Sequence, residues 1–165
     1  MKAQTRTILL VEDEPNDQLL FERALRLNGT KDTLRIVDHG AQAIAYLNGE
    51  GKFADRDKFP FPSCIVTDLK MPVMDGLTVL EHLKGNPQWC FIPVIVLSAS
   101  QDTDDIKRAY MGGASSYFCK PPGLIGLKEL LRKFNEYWNE SEVPEVDSSG
   151  VMIETVSRGK IGERF

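Results

Sequence analysis

The sequence has few cysteines, and their arrangement excludes two classes of site. Its 165 residues contain three cysteines, Cys64, Cys90 and Cys119. An odd number at irregular spacing does not form a disulfide framework, and no CxxC pair indicates a zinc site. We expect reduced, partly buried thiols, and a redox role for Cys119 is the less favoured alternative. The two histidines, His39 and His82, have no metal-ligand spacing, so we expect both at the surface.

Positive charge is not in excess, and long hydrophobic runs are missing. The chain has 20 Lys and Arg against 24 Asp and Glu, a formal net charge of −4. This balance provides no basic field for nucleic acid or an anionic membrane. No apolar run reaches the length that spans a bilayer, and Ile8–Val11 is too short for a signal peptide. We therefore expect a cytoplasmic protein whose partners include neither nucleic acid nor membrane.

What the sequence does contain is a regular alternation of two hydrophobic patterns. Five short, mostly apolar runs are candidate strands: Ile8–Val11, Leu34–Val37, Cys64–Thr67, Val94–Leu97 and Tyr117–Cys119. Such runs are typical of strands buried on both faces of a parallel sheet. Helical spacing follows each run, around residues 20–27, 41–47, 77–83, 103–111 and 127–138. This order predicts an α/β fold, a five-stranded parallel sheet with helices on both faces.

Two segments depart from this pattern. Residues 48–62 form a polar, charged and proline-containing stretch that we expect to be a loop. After Trp138 the chain becomes acidic and rich in Pro, Ser and Gly, and a weak β-like run follows at Val151–Val156. We therefore predict one domain over residues 6–139 and a flexible or partner-binding tail over residues 140–165. The β-like run could add a strand to a partner or to a second copy of the chain.

The polar residues that follow the strand candidates suggest a common site. Glu12 and Asp13 follow the first run, Asp68 the third, Ser98 the fourth and Lys120 the fifth. Open α/β sheets bind ligands at the carboxyl ends of their strands, so we expect these side chains to converge. Converging carboxylates repel one another unless a cation lies among them, and Mg²⁺ accepts carboxylate, water and phosphate oxygens.

The charges and geometry favour phosphoryl chemistry at Asp68. Three carboxylates, one Mg²⁺ and Lys120 sum to about zero, and an acyl phosphate changes that sum by only about −1. A carboxylate is an established covalent nucleophile, and Asp68 ends a central strand. In this interpretation Mg²⁺ bridges Asp13, Asp68 and phosphoryl oxygens, while Ser98 and Lys120 bind the remaining oxygens.

Four motifs together resemble the response-regulator receiver family of two-component signalling. They are Ile8–Asp13, Asp68–Gly76, Val96–Ala99 and Tyr117–Pro121. Their order and separations also fit the family, over roughly residues 6–139. The resemblance implies a doubly wound, flavodoxin-like fold with strand order 2-1-3-4-5 and five helices.

The resemblance also implies a role for each matching acceptor and metal residue. Asp68 would be the phosphoacceptor. Glu12 and Asp13 would form the acidic pair, with Asp13 binding Mg²⁺ directly and Glu12 through water. The backbone carbonyl of Lys70 would be a further ligand. Gly76 would help to shape the turn that holds Asp68, glycine permitting a positive φ.

A second set of residues would sense the phosphorylated state. Ser98 and Lys120 match the switch hydroxyl and the phosphate-pairing lysine of the family. Tyr117 matches the aromatic residue whose rotamer reports phosphorylation. The Lys120–Pro121 peptide bond matches one that is often cis in the family.

The resemblance further implies partners and an activity. The long loop before the third strand and the helix end at residues 134–138 resemble stand-alone receivers that pair with phytochrome-type histidine kinases. The expected partners are therefore a sensor histidine kinase and an unknown downstream protein, with a homodimer as a further option.

The expected activity is that of a phosphoacceptor rather than an enzyme acting on a separate substrate. The alternatives are a phosphorelay intermediate, a pseudo-receiver binding module and an aspartyl-phosphate phosphatase. The phosphatase needs an Asp-x-Asp pattern that Asp13-Glu14-Pro15 does not provide.

Overall fold

The computed structural model describes residues 5–153, which contain five strands and five α-helices. The strands are β1 (Thr7–Val11), β2 (Thr33–Val37), β3 (Cys64–Thr67), β4 (Val94–Ser98) and β5 (Ser116–Cys119). The α-helices are α1 (Pro15–Leu27), α2 (Gly40–Asn48), α3 (Gly76–Gly85), α4 (Thr103–Met111) and α5 (Gly123–Glu140). A short 3-10 helix spans Gly51–Ala54. Within residues 5–153, no helix has both the length and the apolar character that crossing a membrane requires.

The strands form one parallel sheet in the order β2-β1-β3-β4-β5, so the predicted fold class and strand order are confirmed. Each predicted strand lies within one residue of the observed one at both ends. The first and third strands are neighbours, with Val11 opposite Thr67 in the register. The residues that follow these two positions therefore leave the sheet side by side, which positions Glu12 beside Asp68.

Both faces of the sheet are covered by helices, which explains the apolar runs. Leu9 and Val11 pack into a core beneath α2 and α3. Ile8 and Leu10 point to the opposite face and pack with residues of α1 and α5. Because successive side chains on a strand point to opposite faces, a strand covered on both sides has no polar alternation.

The helix ends follow local chemistry. Pro15 occupies the first turn of α1, where a missing N–H costs little. The Asp75 carboxylate accepts a hydrogen bond from the Thr78 N–H and so caps α3. The Asp102 carboxylate caps α4 by accepting from the Asp104 N–H at 2.8 Å. His39, which we predicted to lie at the surface, is instead half-buried, because its Nδ1 accepts from the Gln42 N–H at the start of α2.

The loop over residues 48–62 is more structured than its polar composition indicates. Phe53 and Phe61 are buried in the core, and the 3-10 helix carries the first of them. The Arg56 guanidinium donates to the carbonyls of Tyr46 and Leu47 at 2.8 Å each, satisfying carbonyls at the end of α2. The expected loop thus contains one 3-10 turn and packs inward through aromatic residues, which its polar composition does not indicate.

The first part of the C-terminal segment lies against this loop. The Phe61 N–H donates to the Ser148 carbonyl at 3.0 Å. Val146 and Met152 form an antiparallel bridge, so the segment folds back on itself. Gly150 has φ +88°, and a Cβ there would lie 2.6 Å from the Phe61 ring. The predicted β-like run Val151–Val156 is described only to Ile153, and its remaining residues lie outside the described range.

Candidate functional site

Three of the predicted site residues meet at the carboxyl ends of the strands. The Lys120 ammonium lies 2.8 Å from Glu12 Oε2 and 2.8 Å from Asp68 Oδ2. These side chains come from the ends of β5, β1 and β3, which the sheet order brings together. Glu12 is almost fully buried, and the side chains of Asp68 and Lys120 are only 12% and 19% exposed. The site is therefore a partly desolvated cluster of charges and not a set of independent surface groups.

Asp17 is a fourth member that sequence reasoning missed. Its Oδ2 lies 2.7 Å from Lys120 Nζ, and its side chain is 37% exposed. Asp17 lies in the first turn of α1, just past the Glu12-Asp13 pair. An acidic residue in the first turn of a helix is common, because it interacts favourably with the helix dipole, so this position alone gives no signal.

The cluster changes the protonation behaviour of its members. Burial by itself would lower the pKa of Lys120, but hydrogen bonds to Asp17, Asp68 and Glu12 outweigh it and raise that pKa. Burial raises the pKa of Glu12, and this increase is only partly offset by hydrogen bonds from Lys120 and the Glu14 N–H. The lysine is thus held firmly as a cation, and it neutralises part of a strongly acidic site.

The turn after β3 fixes the orientation of the Asp68 carboxylate. Its Oδ1 accepts from the Leu69 N–H at 2.6 Å, while Oδ2 faces Lys120. Val73 in this turn has φ +69°, in the left-handed region that β-branched residues seldom adopt. Gly76 has no positive φ, contrary to our expectation. It is needed instead for close packing, since a Cβ there would lie 2.2 Å from the Asp68 carbonyl oxygen.

Ser98 and Tyr117 are linked through one intermediate residue. The Ser98 side chain is buried, and its Oγ accepts from the Ser100 N–H at 3.2 Å. The Tyr117 hydroxyl donates to the Ser100 carbonyl at 2.8 Å. A shift of the Ser98 hydroxyl would therefore alter the backbone to which Tyr117 is bonded. The Lys120 N–H also donates to the Ser98 carbonyl at 2.8 Å, which couples the ends of β4 and β5.

The mouth of the site is spanned by a second ionic contact. Lys70 Nζ lies 3.6 Å from Asp105 Oδ2, and the Ser100 hydroxyl donates to the same oxygen at 2.6 Å. The hydrogen bond from Ser100 lowers the pKa of Asp105. The Lys70 side chain is 75% exposed, so it can move away from Asp105 at little cost. This contact joins the turn after β3 to the first half of α4.

The donor set of the site suits a hard divalent cation. Glu12, Asp13 and Asp68 supply carboxylate oxygens at adjoining strand ends, the ligand type that Mg²⁺ prefers. Counting Asp17, three carboxylates contact the single Lys120 ammonium, so the site has an excess of negative charge. Among residues 5–153, no three acidic, cysteine or histidine side chains are already grouped around a metal position. The Lys120 ammonium lies between the carboxylates of Glu12 and Asp68.

Two other expectations about the site have direct structural answers. The Lys120–Pro121 peptide bond is trans, not cis. Trans is the lower-energy form of an X–Pro bond, and Lys120 reaches the carboxylates from it. All three cysteines are free, and burial raises the pKa of the Cys64 thiol to about 12. Cys64 is therefore a buried core residue and not a reactive thiolate.

Comparison with known proteins places this geometry in a family. A family-wide sequence profile described as "Response regulator receiver domain" matches residues 8–133. The response regulator Rcp1 of Synechocystis is 32% identical over 136 residues, which cover 82% of this chain and 90% of Rcp1. The crystal structure of Mn²⁺-bound Rcp1 aligns with a TM-score of 0.74, at 32% identity, over 85% of this chain and 99% of that one.

Two further solved structures are similar over most of the chain. The response regulator RPA3017, described in red light signalling of R. palustris, has a TM-score of 0.81 at 31% identity. The alignment covers 86% of this chain and 99% of RPA3017. The phosphorylated cyanobacterial phytochrome response regulator RcpA has a TM-score of 0.78 at 33% identity, over 86% of this chain and 100% of RcpA.

Proposed function

Because the chain belongs to the response-regulator receiver family, we propose that it accepts a phosphoryl group from a histidine kinase onto Asp68, with Mg²⁺ bound. The observation that carries this proposal is the position of the Asp68 carboxylate and its contacts. It is anchored at the end of a central strand by the Leu69 N–H and lies 2.8 Å from the Lys120 ammonium. A fixed carboxylate beside a fixed cation has the arrangement that attack on an anionic phosphoryl donor requires.

The transfer forms one bond and breaks another. A carboxylate oxygen of Asp68 attacks phosphorus, the phosphorus–nitrogen bond to the donor histidine breaks, and the neutral imidazole leaves after protonation. The product is an acyl phosphate with more negative charge than the original carboxylate. Lys120 pairs with one phosphoryl oxygen, and the Ser98 hydroxyl donates to another.

A divalent cation would supply the remaining neutralisation of charge. Glu12, Asp13, Asp68 and the Lys70 carbonyl are the groups that would hold it, as the family resemblance implies. Receiver domains bind divalent metals, and a solved structure of the relative Rcp1 contains Mn²⁺. The excess of carboxylates over ammonium groups in this chain supports a bound cation in the same place. When bound, Mg²⁺ offsets the charge that develops on the transferring phosphoryl oxygens.

Phosphorylation would be transmitted through Ser98 and Tyr117. Movement of the Ser98 hydroxyl toward the phosphoryl group breaks its bond with the Ser100 N–H and frees the segment that holds Tyr117. The Tyr117 ring can then change position. The output in this proposal is a protein–protein contact with a downstream partner. A phytochrome-type histidine kinase is the proposed phosphoryl donor, because RcpA and RPA3017 are described in phytochrome and red light signalling.

Intact-mass spectrometry with acetyl phosphate as donor tests the proposal. In the presence of Mg²⁺ we expect the wild-type chain to gain one phosphoryl group, and Asp68→Asn to gain none. Asp57→Asn is the matched control, since Asp57 is an exposed residue of the 48–62 loop. EDTA should abolish labelling of the wild type. Equal labelling of wild type and Asp68→Asn would refute the acceptor assignment, and labelling that persists in EDTA would refute the metal requirement.

A further inference from the structure

The Lys120 ammonium has no spare hydrogen-bond donor. An ammonium group has three N–H bonds, and Lys120 Nζ lies 2.8 Å from Glu12, 2.7 Å from Asp17 and 2.8 Å from Asp68. In the function proposed above, an acyl phosphate on Asp68 needs a donor from this lysine. One of the three bonds in the structure therefore has to be exchanged or shared when the phosphoryl group arrives.

Asp17 differs from the other two partners of Lys120. Asp68 changes chemically on phosphorylation, and Glu12 belongs to the acidic pair expected to hold the cation. Asp17 has neither role, so phosphorylation and cation binding leave its carboxylate chemically unchanged. Its carboxylate is therefore the group that competes most directly with the phosphoryl oxygens for Lys120.

The first turn of α1 holds Asp17 in this position. Pro15 fixes the beginning of the helix, and Gln18, the residue after Asp17, is bonded to the strand ends. The Gln18 side-chain amide donates to the Glu12 carbonyl at 2.6 Å and to Asp38 Oδ1 at 2.9 Å. These contacts fix the backbone of the turn from which the Asp17 side chain reaches Lys120.

A small cavity lies beside the pair and leaves the lysine room to move. Its volume is about 60 Å³, and Asp17 and Lys120 line it together with Phe21, Pro121 and Leu127. Apart from Glu12, Asp17 and Lys120, the lining consists of apolar residues and one glycine, against which the methylene stem of the lysine can pack. The ammonium can therefore shift toward either Asp17 or Asp68 while its stem stays packed.

We propose that Asp17 is a positioning residue that holds Lys120 at the acceptor site and competes with the phosphoryl group for its N–H donors. The inference rests on the proposed function. It specifies which group sets the affinity of the site for Mg²⁺ and for the phosphoryl donor. The Asp17 and Asp68 oxygens contact the same nitrogen, so they are close neighbours. The charge of Asp17 thus attracts a divalent cation to the site and repels an anionic phosphoryl donor.

Removing this charge should change the two affinities in opposite directions. For Asp17→Asn we expect the half-saturating Mg²⁺ concentration to rise about 3- to 10-fold, the size of a partly exposed charge interaction over a few ångströms. The half-saturating acetyl phosphate concentration, measured at saturating Mg²⁺, should fall by a similar factor of about 3 to 10. A role in folding alone would weaken both or change neither.

Two variants serve as controls for this experiment. Asp17→Glu keeps the charge and should remain close to the wild type in both measurements. Glu22→Gln removes the same charge from an exposed position further along α1. It should change neither half-saturating concentration by more than about twofold, because exposed charges are screened by salt. A parallel change of both affinities in Asp17→Asn, or equal effects of Asp17→Asn and Glu22→Gln, would overturn the proposal.

A second readout separates this inference from the proposed function. In metal-free protein, ¹⁵N NMR should show a slowly exchanging Lys120 ammonium in the wild type and a rapidly exchanging one in Asp17→Asn. Absence of phosphoryl labelling on wild-type Asp68 would refute the proposed function. The NMR signal of the Lys120 ammonium could still be measured in that case, because it does not depend on phosphorylation. Slow exchange that persists in Asp17→Asn would refute the role of Asp17. If Asp17→Asn does not fold, rapid exchange of the Lys120 ammonium in the wild type would also refute the role of Asp17.

Discussion

Gly76→Ala is the substitution that tests most sharply how the turn after β3 holds Asp68. A Cβ at this position would lie 2.2 Å from the Asp68 carbonyl oxygen and 3.0 Å from the Leu69 Cα. Both are backbone atoms, so no change of side-chain rotamer can relieve the overlap. The backbone that carries the acceptor has to move, and we expect a loss of about 2–4 kcal/mol in the free energy of unfolding, as for a strongly overpacked site.

Gly85→Ala is the matched control, because Gly85 ends the same helix and has no atom within 4 Å of an added Cβ. This variant should be neutral or gain up to about 1 kcal/mol from helix propensity. Urea denaturation measures both free energies of unfolding, and acetyl phosphate labelling measures the acceptor. The rate of phosphoryl labelling should also fall strongly in Gly76→Ala, because the Asp68 carboxylate is displaced. Equal stability and equal labelling of the two variants would refute the argument from close packing.

Three further predictions test other parts of the fold. Arg56→Ala should lower the free energy of unfolding by about 1–3 kcal/mol, because buried carbonyls at the end of α2 lose their charged donor; an effect no larger than that of Lys52→Ala would contradict this. Gly150→Ala should raise hydrogen–deuterium exchange at the Phe61 amide at least several-fold, because the added Cβ overlaps the ring and the positive φ is strained; unchanged exchange would show that the contact does not protect the amide. Tyr117→Phe should leave labelling of Asp68 intact and lower the thermal midpoint by a few degrees, as expected for one lost hydrogen bond; loss of labelling would place the hydroxyl in the acceptor chemistry instead.

The elements of the fold that the sequence predicted well are those with a strong hydrophobic period. The five strands were predictable because each is a short, mostly apolar run, and β1, β3 and β4 are buried along their whole length. The convergence of Asp68 and Lys120 followed from the same runs, since parallel strands place their carboxyl ends along one edge. α5 begins at Gly123, four residues before its predicted apolar stripe, and Leu124 in this first turn is only partly buried against the core.

The features that could not be predicted depend on contacts between distant segments. Asp17 looks like any acidic residue in a first helical turn until Lys120 is placed beside it. The buried aromatic residues of the 48–62 loop, Phe53 and Phe61, belong to a polar, charged stretch of sequence, yet their rings pack into the core. Gly76 was expected to adopt an unusual φ, whereas its actual constraint is the nearby Asp68 carbonyl. Sequence patterns report burial along an element, and they do not report which single residue an opposing segment approaches.

Locating the phosphoryl group by chemical trapping tests the central claim most directly. Borohydride reduces an aspartyl phosphate to homoserine, and peptide mass spectrometry then identifies the position that was modified. After incubation with acetyl phosphate and Mg²⁺, we predict homoserine at Asp68 and at no other acidic residue of the cluster. Homoserine at Asp13 or Asp17, or none at Asp68 in a sample that carries phosphoryl label, would contradict the assignment of Asp68 as the acceptor.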